Sequence, residues 1–309
     1  MKIMVYVMLA LGFVLLIKGA DFFVEASSSI ARRLRVPSII IGLTIVAFGT
    51  SAPELAVSTT ASLAGNNEIA VSNVIGSNIF NLLMVLGACG AIHAFRVRLR
   101  WDFVASIFVA ALLLLMIFCD FYLSRLEALA LLGLFAAFLG MTIRDALVNR
   151  VQASEEEEVK MLKPVQCLVY GVGGLAAIVW GGDLVVGCAS EIALDFGLSQ
   201  TLVGLTIVAM GTSLPELVTS VVASRKGENG MALGNVIGSN LFNILMVLAL
   251  SAAVKPIAVN RFAVIDGACL LVFSVIAFAL CWTKGQISRQ EGLAMLGMYG
   301  GYMVYICIR

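Results

Sequence analysis

The chain has 309 residues, of which 61% are hydrophobic and 13% charged, with a mean hydropathy of +1.03 and a net charge of +1. No water-soluble domain of this size can hide so much apolar surface, so the composition excludes a soluble enzyme or binding module and indicates an integral membrane protein. The near-neutral charge, with no basic run, argues against a nucleic-acid partner.

Apolar runs of bilayer-crossing length divide the chain into ten expected helices, at 3–28, 36–63, 70–90, 101–119, 125–143, 165–191, 198–224, 231–253, 259–282 and 289–308. The first run, VYVMLALGFVLLI after Lys2, has the look of a signal peptide. Its end takes part in the repeat described below, so it is expected to remain as the first span. The second and seventh runs contain Gly and Pro and are expected to be interrupted. The seven cysteines lie singly in apolar segments, no CxxC occurs, and His93 is the single histidine. They read as small apolar residues rather than as a transition-metal site. No GxxxxGK[ST] loop and no nucleophile or metal pair for intramembrane hydrolysis is present, so neither an enzyme nor a resident cofactor is expected.

Lys and Arg orient the spans. With ten crossings both termini share one side, which carries Lys2, Arg125, Lys255, Arg261 and Arg309. The opposite loops carry the other basic residues, Lys18 aside, among them Arg32, Arg33, Arg35, Arg144, Arg225 and Lys226. The positive-inside rule then places both termini outside the cytoplasm of a multi-pass protein of the cell (inner) membrane.

Residues 42–86 realign on 204–248 at a constant offset of 162 without a gap. GLTIVA recurs, then GTSAPE (49–54) as GTSLPE (211–216), then NVIGSNIFN (73–81) as NVIGSNLFN (235–243). Asp21 and Asp183 keep the same offset. Five helices per half is an odd number, so the halves run through the membrane in opposite directions. The expected fold is therefore all-α, with ten transmembrane helices in two inverted five-helix repeats and helices 2 and 7 interrupted. Such repeats place a site at the midplane between the broken helices. The expected organisation is a first repeat at 1–146, a cytoplasmic linker at 147–163 and a second repeat at 164–309.

Each repeat holds one acid, Glu54 or Glu216, near the expected midplane. A lone charge there costs at least about 2.5 kcal/mol. Proline lacks an amide hydrogen and clashes with the carbonyl four residues back. Pro53 is thus expected to loosen the carbonyls at Ala47, Gly49 and Thr50, and Pro215 those at Ala209, Gly211 and Thr212. Thr50, Ser51, Glu54 and Ser58 share one helical side, and Asn73, Ser77 and Asn81 follow at i, i+4 and i+8 on one face. The second half repeats this with Thr212, Ser213, Glu216 and Ser220, then Asn235, Ser239 and Asn243. These are hard oxygen donors of the kind that suit Ca²⁺, Mn²⁺ or Na⁺, and irregular carbonyl geometry favours Ca²⁺ over Mg²⁺. No Lys or Arg lies at that depth; Lys18 is expected to pair with Asp21 or to snorkel. The glutamates must be compensated by mobile cations or by protons. Asn78 and Asn240, off the main polar face, read as interhelical glue, and Asp21 and Asp183 as structural.

The paired GTSxPE and NVIGSNxFN motifs resemble the α-repeats of the calcium/cation antiporter superfamily, most closely its prokaryotic sodium/calcium exchangers. The resemblance covers the whole chain. It implies calcium ligation by Glu54, Glu216, Thr50 and Thr212. It also implies flanking sodium ligands at Ala47, Ser51, Ser77, Ala209, Ser213 and Ser239, with Asn81 beside the centre. Several relatives carry Asp where this chain has Asn243. With Asn at both 81 and 243 the central site has two formal negative charges, which argues against potassium co-transport and leaves sodium or proton coupling open. One Ca²⁺ would neutralise the two glutamates, three Na⁺ would leave +1, and two protons would leave zero. The expected activity is exchange of Ca²⁺ for Na⁺ by alternating access, with proton-driven Ca²⁺ antiport as the alternative, in a monomer embedded in the lipid bilayer. A cation channel would also use a ring of acids, but the intrachain inverted repeat favours alternating access.

Overall fold

The structure is a computed structural model that describes residues 2–96, 101–148, 161–198, 203, 206–207 and 209–308. It is an α-helical bundle. In chain order the helices are α1 (Lys2–Leu34), α2 (Ser38–Thr50), α3 (Ala52–Ala64), α4 (Glu68–Ile92), α5 (Trp101–Asp120), α6 (Arg125–Val148), α7 (Pro164–Asp195), α8 (Ala209–Gly211), α9 (Leu214–Arg225), α10 (Asn229–Val254), α11 (Arg261–Lys284) and α12 (Arg289–Ile308). Among the described residues eight helices are long and apolar enough to cross a membrane, and α2 with α3 forms a further pair bent by 47°. Most of the linker expected at 147–163, and the first part of the run expected at 198–224, lie outside the described residues.

Among the described residues four two-residue strands join the halves. β1 (Phe95–Arg96) pairs antiparallel with β4 (Gln286–Ile287), and β2 (Tyr122–Leu123) with β3 (Ile257–Ala258). β1 and β3 are related by an offset of 162 residues and β2 and β4 by one of 164, so the two ribbons correspond under exchange of the halves.

The helices divide into an inner and an outer set. The apolar windows of α4 and α10 are 72% and 83% buried, whereas those of the other six long helices are only 22–39% buried. The outer helices show large apolar side chains such as Phe108, Leu115, Phe118 and Val172 on the surface, as lipid contact requires. At 33 and 32 residues, α1 and α7 are about 50 Å long, well beyond a hydrocarbon core of about 30 Å, so they must tilt or protrude. They lie antiparallel along a glycine seam. A Cβ added at Gly174 would meet the Gly19 carbonyl at 2.7 Å, and one at Gly181 the Gly12 carbonyl at 2.8 Å. Backbones this close leave no room for a side chain, as in small-residue membrane interfaces.

Sequence hydropathy stops the first span at 28, but α1 continues through SSSIARRL. Its end comes where Arg35 turns to φ 54°, just before Pro37. Among the described residues π-helical winding occurs at 206–207, at Gly42–Val46 within α2, at Asn81–Val85 within α4 and at Asn243–Leu248 within α10. The last two occupy matching positions in the halves. Such wide turns often accompany functional sites.

Candidate cation site

Helix α2 ends at Thr50 and α3 begins at Ala52, with Ser51 between them at φ −86°, ψ 10°. Pro53 lies in the first turn of α3, where its missing amide hydrogen costs no helical hydrogen bond. The second half does the same: α8 ends at Gly211, Ser213 sits at φ −94°, ψ 6°, and Pro215 lies in the first turn of α9. Each break brings a helix N-terminus into the interior, and Glu54 and Glu216 occupy those first turns. The unsatisfied amides and the helix dipole there favour a carboxylate.

The residues flanking the breaks are crossed between the halves. Ser51 Oγ donates to Glu216 Oε1 at 2.7 Å, and Ser213 Oγ donates to Glu54 Oε1 at 2.9 Å. Neither serine uses its hydroxyl to cap its own helix, although that is the ordinary role of serine at an N-cap. Ser77 Oγ reaches Glu54 Oε1 and Ser239 Oγ reaches Glu216 Oε1, both at 3.4 Å. One oxygen of each glutamate is thus held by two hydroxyls, one from each half. The other oxygens, Glu54 Oε2 and Glu216 Oε2, are buried without a hydrogen-bond partner, and so are Asn81 Oδ1 and Asn243 Oδ1.

The threonines are crossed as well. Thr50 Oγ1 bonds Asn235 Oδ1 at 3.1 Å and Val46 O at the same distance, and Thr212 Oγ1 bonds Asn73 Oδ1 at 3.3 Å. The same asparagines turn their amide nitrogens to Ser58 and Ser220, each at 2.9 Å. One difference breaks the symmetry. Thr50 and Asn235 are fully buried, whereas Thr212 and Asn73 are partly exposed.

The structure therefore brings Glu54, Glu216, Ser51, Ser213, Ser77 and Ser239 together and sets Thr50 and Thr212 beside them. Asn81 and Asn243 lie one helical turn beyond Ser77 and Ser239. The carbonyl of Ala47 accepts from the Ser51 amide at 3.0 Å and lies 3.5 Å from the Thr50 hydroxyl, whose single hydrogen has nearer acceptors in Val46 O and Asn235 Oδ1. The side chain of Ala209 lies outside the described residues. Asn73 and Asn235, on the polar faces, prove to be the groups that grip the threonines of the opposite half. An inverted repeat carries that signal in principle: if residue i of one half meets residue j of the other, their repeat mates must meet too. Lys18 pairs with Asp21 at 3.9 Å, and Lys226 pairs with the same acid at 3.3 Å.

Magnitudes show what this arrangement lacks. Burying an ion costs several kcal/mol even after relaxation. A hydroxyl donated to a charged group returns about 1.5–3 kcal/mol, and a helix terminus about 0.3–2 kcal/mol. The protein offers each glutamate such help at one oxygen and leaves the other bare. Among the described residues no group of three His, Cys, Asp or Glu comes together, so the donors beyond the two carboxylates are neutral oxygens. This donor chemistry fits a hard cation such as Ca²⁺ or Na⁺.

A helical membrane bundle with buried, unpaired oxygens between interrupted helices is the architecture of a cation transporter. Residues 4–144 and 167–308 match the sodium/calcium exchanger protein family, and the chain belongs to that family. It is 40% identical over 307 residues to the putative antiporter CaxA of Alkalimonas amylolytica, covering 94% of this chain and 95% of the relative. It is 34% identical over 318 residues to the inner membrane protein YrbG of Escherichia coli (97% and 95%), and 32% identical over 345 residues to the sodium/calcium exchanger MaX1 of Methanosarcina acetivorans (97% and 98%). Among solved structures, the sodium-calcium exchanger NCX_Mj superposes with a TM-score of 0.86 at 31% identity over 100% of both chains.

Proposed function

We propose that the protein exchanges Ca²⁺ for Na⁺ across the membrane by alternating access, at a site centred on Glu54 and Glu216. The observation that carries this reading is the pair of crossed serine–glutamate bonds, which satisfy Oε1 of each acid and leave both Oε2 atoms buried and bare. In this reading Ca²⁺ takes Glu54, Glu216 and the carbonyls of Thr50 and Thr212. Sodium takes the flanking oxygens of Ala47, Ser51, Ser77, Ala209, Ser213 and Ser239, with Asn81 and Asn243 completing the centre.

The proposed architecture is ten helices in two inverted repeats, 1–146 and 164–309, joined by a cytoplasmic linker at 147–163, with both termini outside. The equivalence of the β1–β4 and β2–β3 ribbons supports it. By span parity the two ribbons then lie on opposite membrane faces. The exposure of Asn73 and Thr212 beside the burial of their mates Asn235 and Thr50 supports access from one side only. In the proposed orientation the exposed pair belongs to the extracellular route. An exchange cycle reverses which pair is open. An empty site with two carboxylates and no base does not cross readily, so exchange rather than uniport follows. The protein works as a monomer in this reading, because each half completes the other's donor set.

Proton-driven Ca²⁺ antiport remains the second reading, since the same glutamates carry protons. The neutral hydroxyls and carbonyls around the acids favour sodium, because protons do not need them. Calcium flux in proteoliposomes, with sodium and pH gradients imposed separately, tests the two: sodium-dependent uptake supports the first reading, and uptake on a pH gradient without sodium supports the second.

A further inference from the structure

Four asparagines form a closed knot between α4 and α10. Asn78 Nδ2 donates to the Asn240 backbone carbonyl at 3.1 Å, and Asn240 Nδ2 returns a bond to the Asn78 carbonyl at 3.3 Å. Asn81 Nδ2 donates to Asn240 Oδ1 at 3.2 Å, and Asn243 Nδ2 to Asn78 Oδ1 at 3.1 Å. All four side chains are at most 2% exposed.

The knot has a direction that chemistry fixes. A backbone carbonyl only accepts, so the amide group that Asn78 turns to it must be the nitrogen, and the same holds for Asn240. The oxygens of Asn78 and Asn240 then face Asn243 and Asn81, and can be satisfied only by nitrogen from those residues. That leaves Oδ1 of Asn81 and Asn243 turned out of the knot, and both are the buried, unpartnered atoms found there.

We infer that Asn78 and Asn240 are positioning residues that lock the amides of Asn243 and Asn81, so that each presents oxygen, never nitrogen, to the cation. Mere interhelical glue would not require this polarity. Without the lock, a flipped amide turns an NH₂ group, with its positive hydrogens, toward the ion. The inference rests on the cation site proposed above.

The test is a double-mutant cycle on purified protein in proteoliposomes, reading ⁴⁵Ca²⁺ uptake, with melting temperature measured alongside. Asn240→Ala is expected to raise the apparent KM for Ca²⁺ about tenfold, as loss of a hydrogen-bond-grade contact to an ion would, with the maximal rate per folded protein changed less than about twofold. In the Asn81→Ala background, Asn240→Ala should add no further change in KM, because its effect passes through Asn81. Asn78→Ala with Asn243→Ala should behave alike. Where an alanine variant does not fold, Asn240→Ser and Asn78→Ser give the same comparison. Additive KM effects, or a lower melting temperature with unchanged KM, would overturn the inference. Wild-type protein that neither binds nor transports Ca²⁺ would overturn the exchanger reading, and this inference with it.

Discussion

Ser51 sits between α2 and α3, yet its hydroxyl is bonded at 2.7 Å to Glu216, 165 residues away on the opposite repeat. Ser213 returns the arrangement to Glu54 at 2.9 Å. Each half thus supplies the acid that the other half's helix break steadies.

Glu54→Gln and Glu216→Gln are each expected to abolish calcium exchange while the protein still inserts and folds. The amide keeps the volume and an acceptor for the crossed serine, and it removes a buried charge, so stability should hold or rise. Near-normal flux in both folded variants would remove these acids from the site.

Ser51→Ala and Ser213→Ala should be milder. Each deletes one hydroxyl bond to a carboxylate, worth about 1.5–3 kcal/mol when fully formed, while the second hydroxyl, from Ser239 or Ser77, remains. Reduced exchange with an altered apparent affinity for Na⁺ or Ca²⁺ is the expected outcome, and by symmetry the two variants should resemble one another. Ion-dependence curves measured side by side check this, and unchanged curves in both variants would remove the two serines from the site.

The glycine seam between α1 and α7 gives a packing prediction. Gly174→Val places a branched side chain where a Cβ alone would meet Gly19 O at 2.7 Å and Phe23 N at 2.8 Å. The helices must separate, and overpacking of this kind costs about 1–3 kcal/mol or more. A lower melting temperature with impaired exchange is expected. Gly173→Val, one residue away, has nothing within 4 Å of its Cβ and should be tolerated.

Much of the candidate site's layout was legible in the sequence, because the two motifs repeat at a constant offset and each places an acid after a proline inside an apolar run. The helix breaks were legible for the same reason. The crossed partners were not, since a linear repeat shows which residues are equivalent but not which ones touch. The π-wound turns at Asn81 and Asn243 were also invisible, because ordinary and widened helix share one residue pattern. The full length of α1 escaped hydropathy, which marks lipid-facing residues and not the end of a helix. Asn78 and Asn240 read as interhelical glue and do bond α4 to α10, but the direction of those bonds shows only in the carbonyl acceptors opposite them.

The proposed orientation rests on the distribution of Lys and Arg and is tested directly. In a variant with the native cysteines replaced, Ser154→Cys should resist an impermeant thiol reagent added to intact cells and react once the cells are opened. Labelling from outside would invert the topology.

The central claim is tested by ⁴⁵Ca²⁺ uptake into sodium-loaded proteoliposomes under an imposed potassium diffusion potential. If three Na⁺ leave for each Ca²⁺ that enters, one net positive charge moves outward per cycle, and each elementary charge is worth about 2.3 kcal/mol per 100 mV. Uptake should require internal sodium, accelerate when the interior is made positive and slow when it is made negative. Low pH, which protonates Glu54 and Glu216 under either coupling, does not discriminate. Uptake that runs on a pH gradient without sodium and ignores the potential would contradict the account.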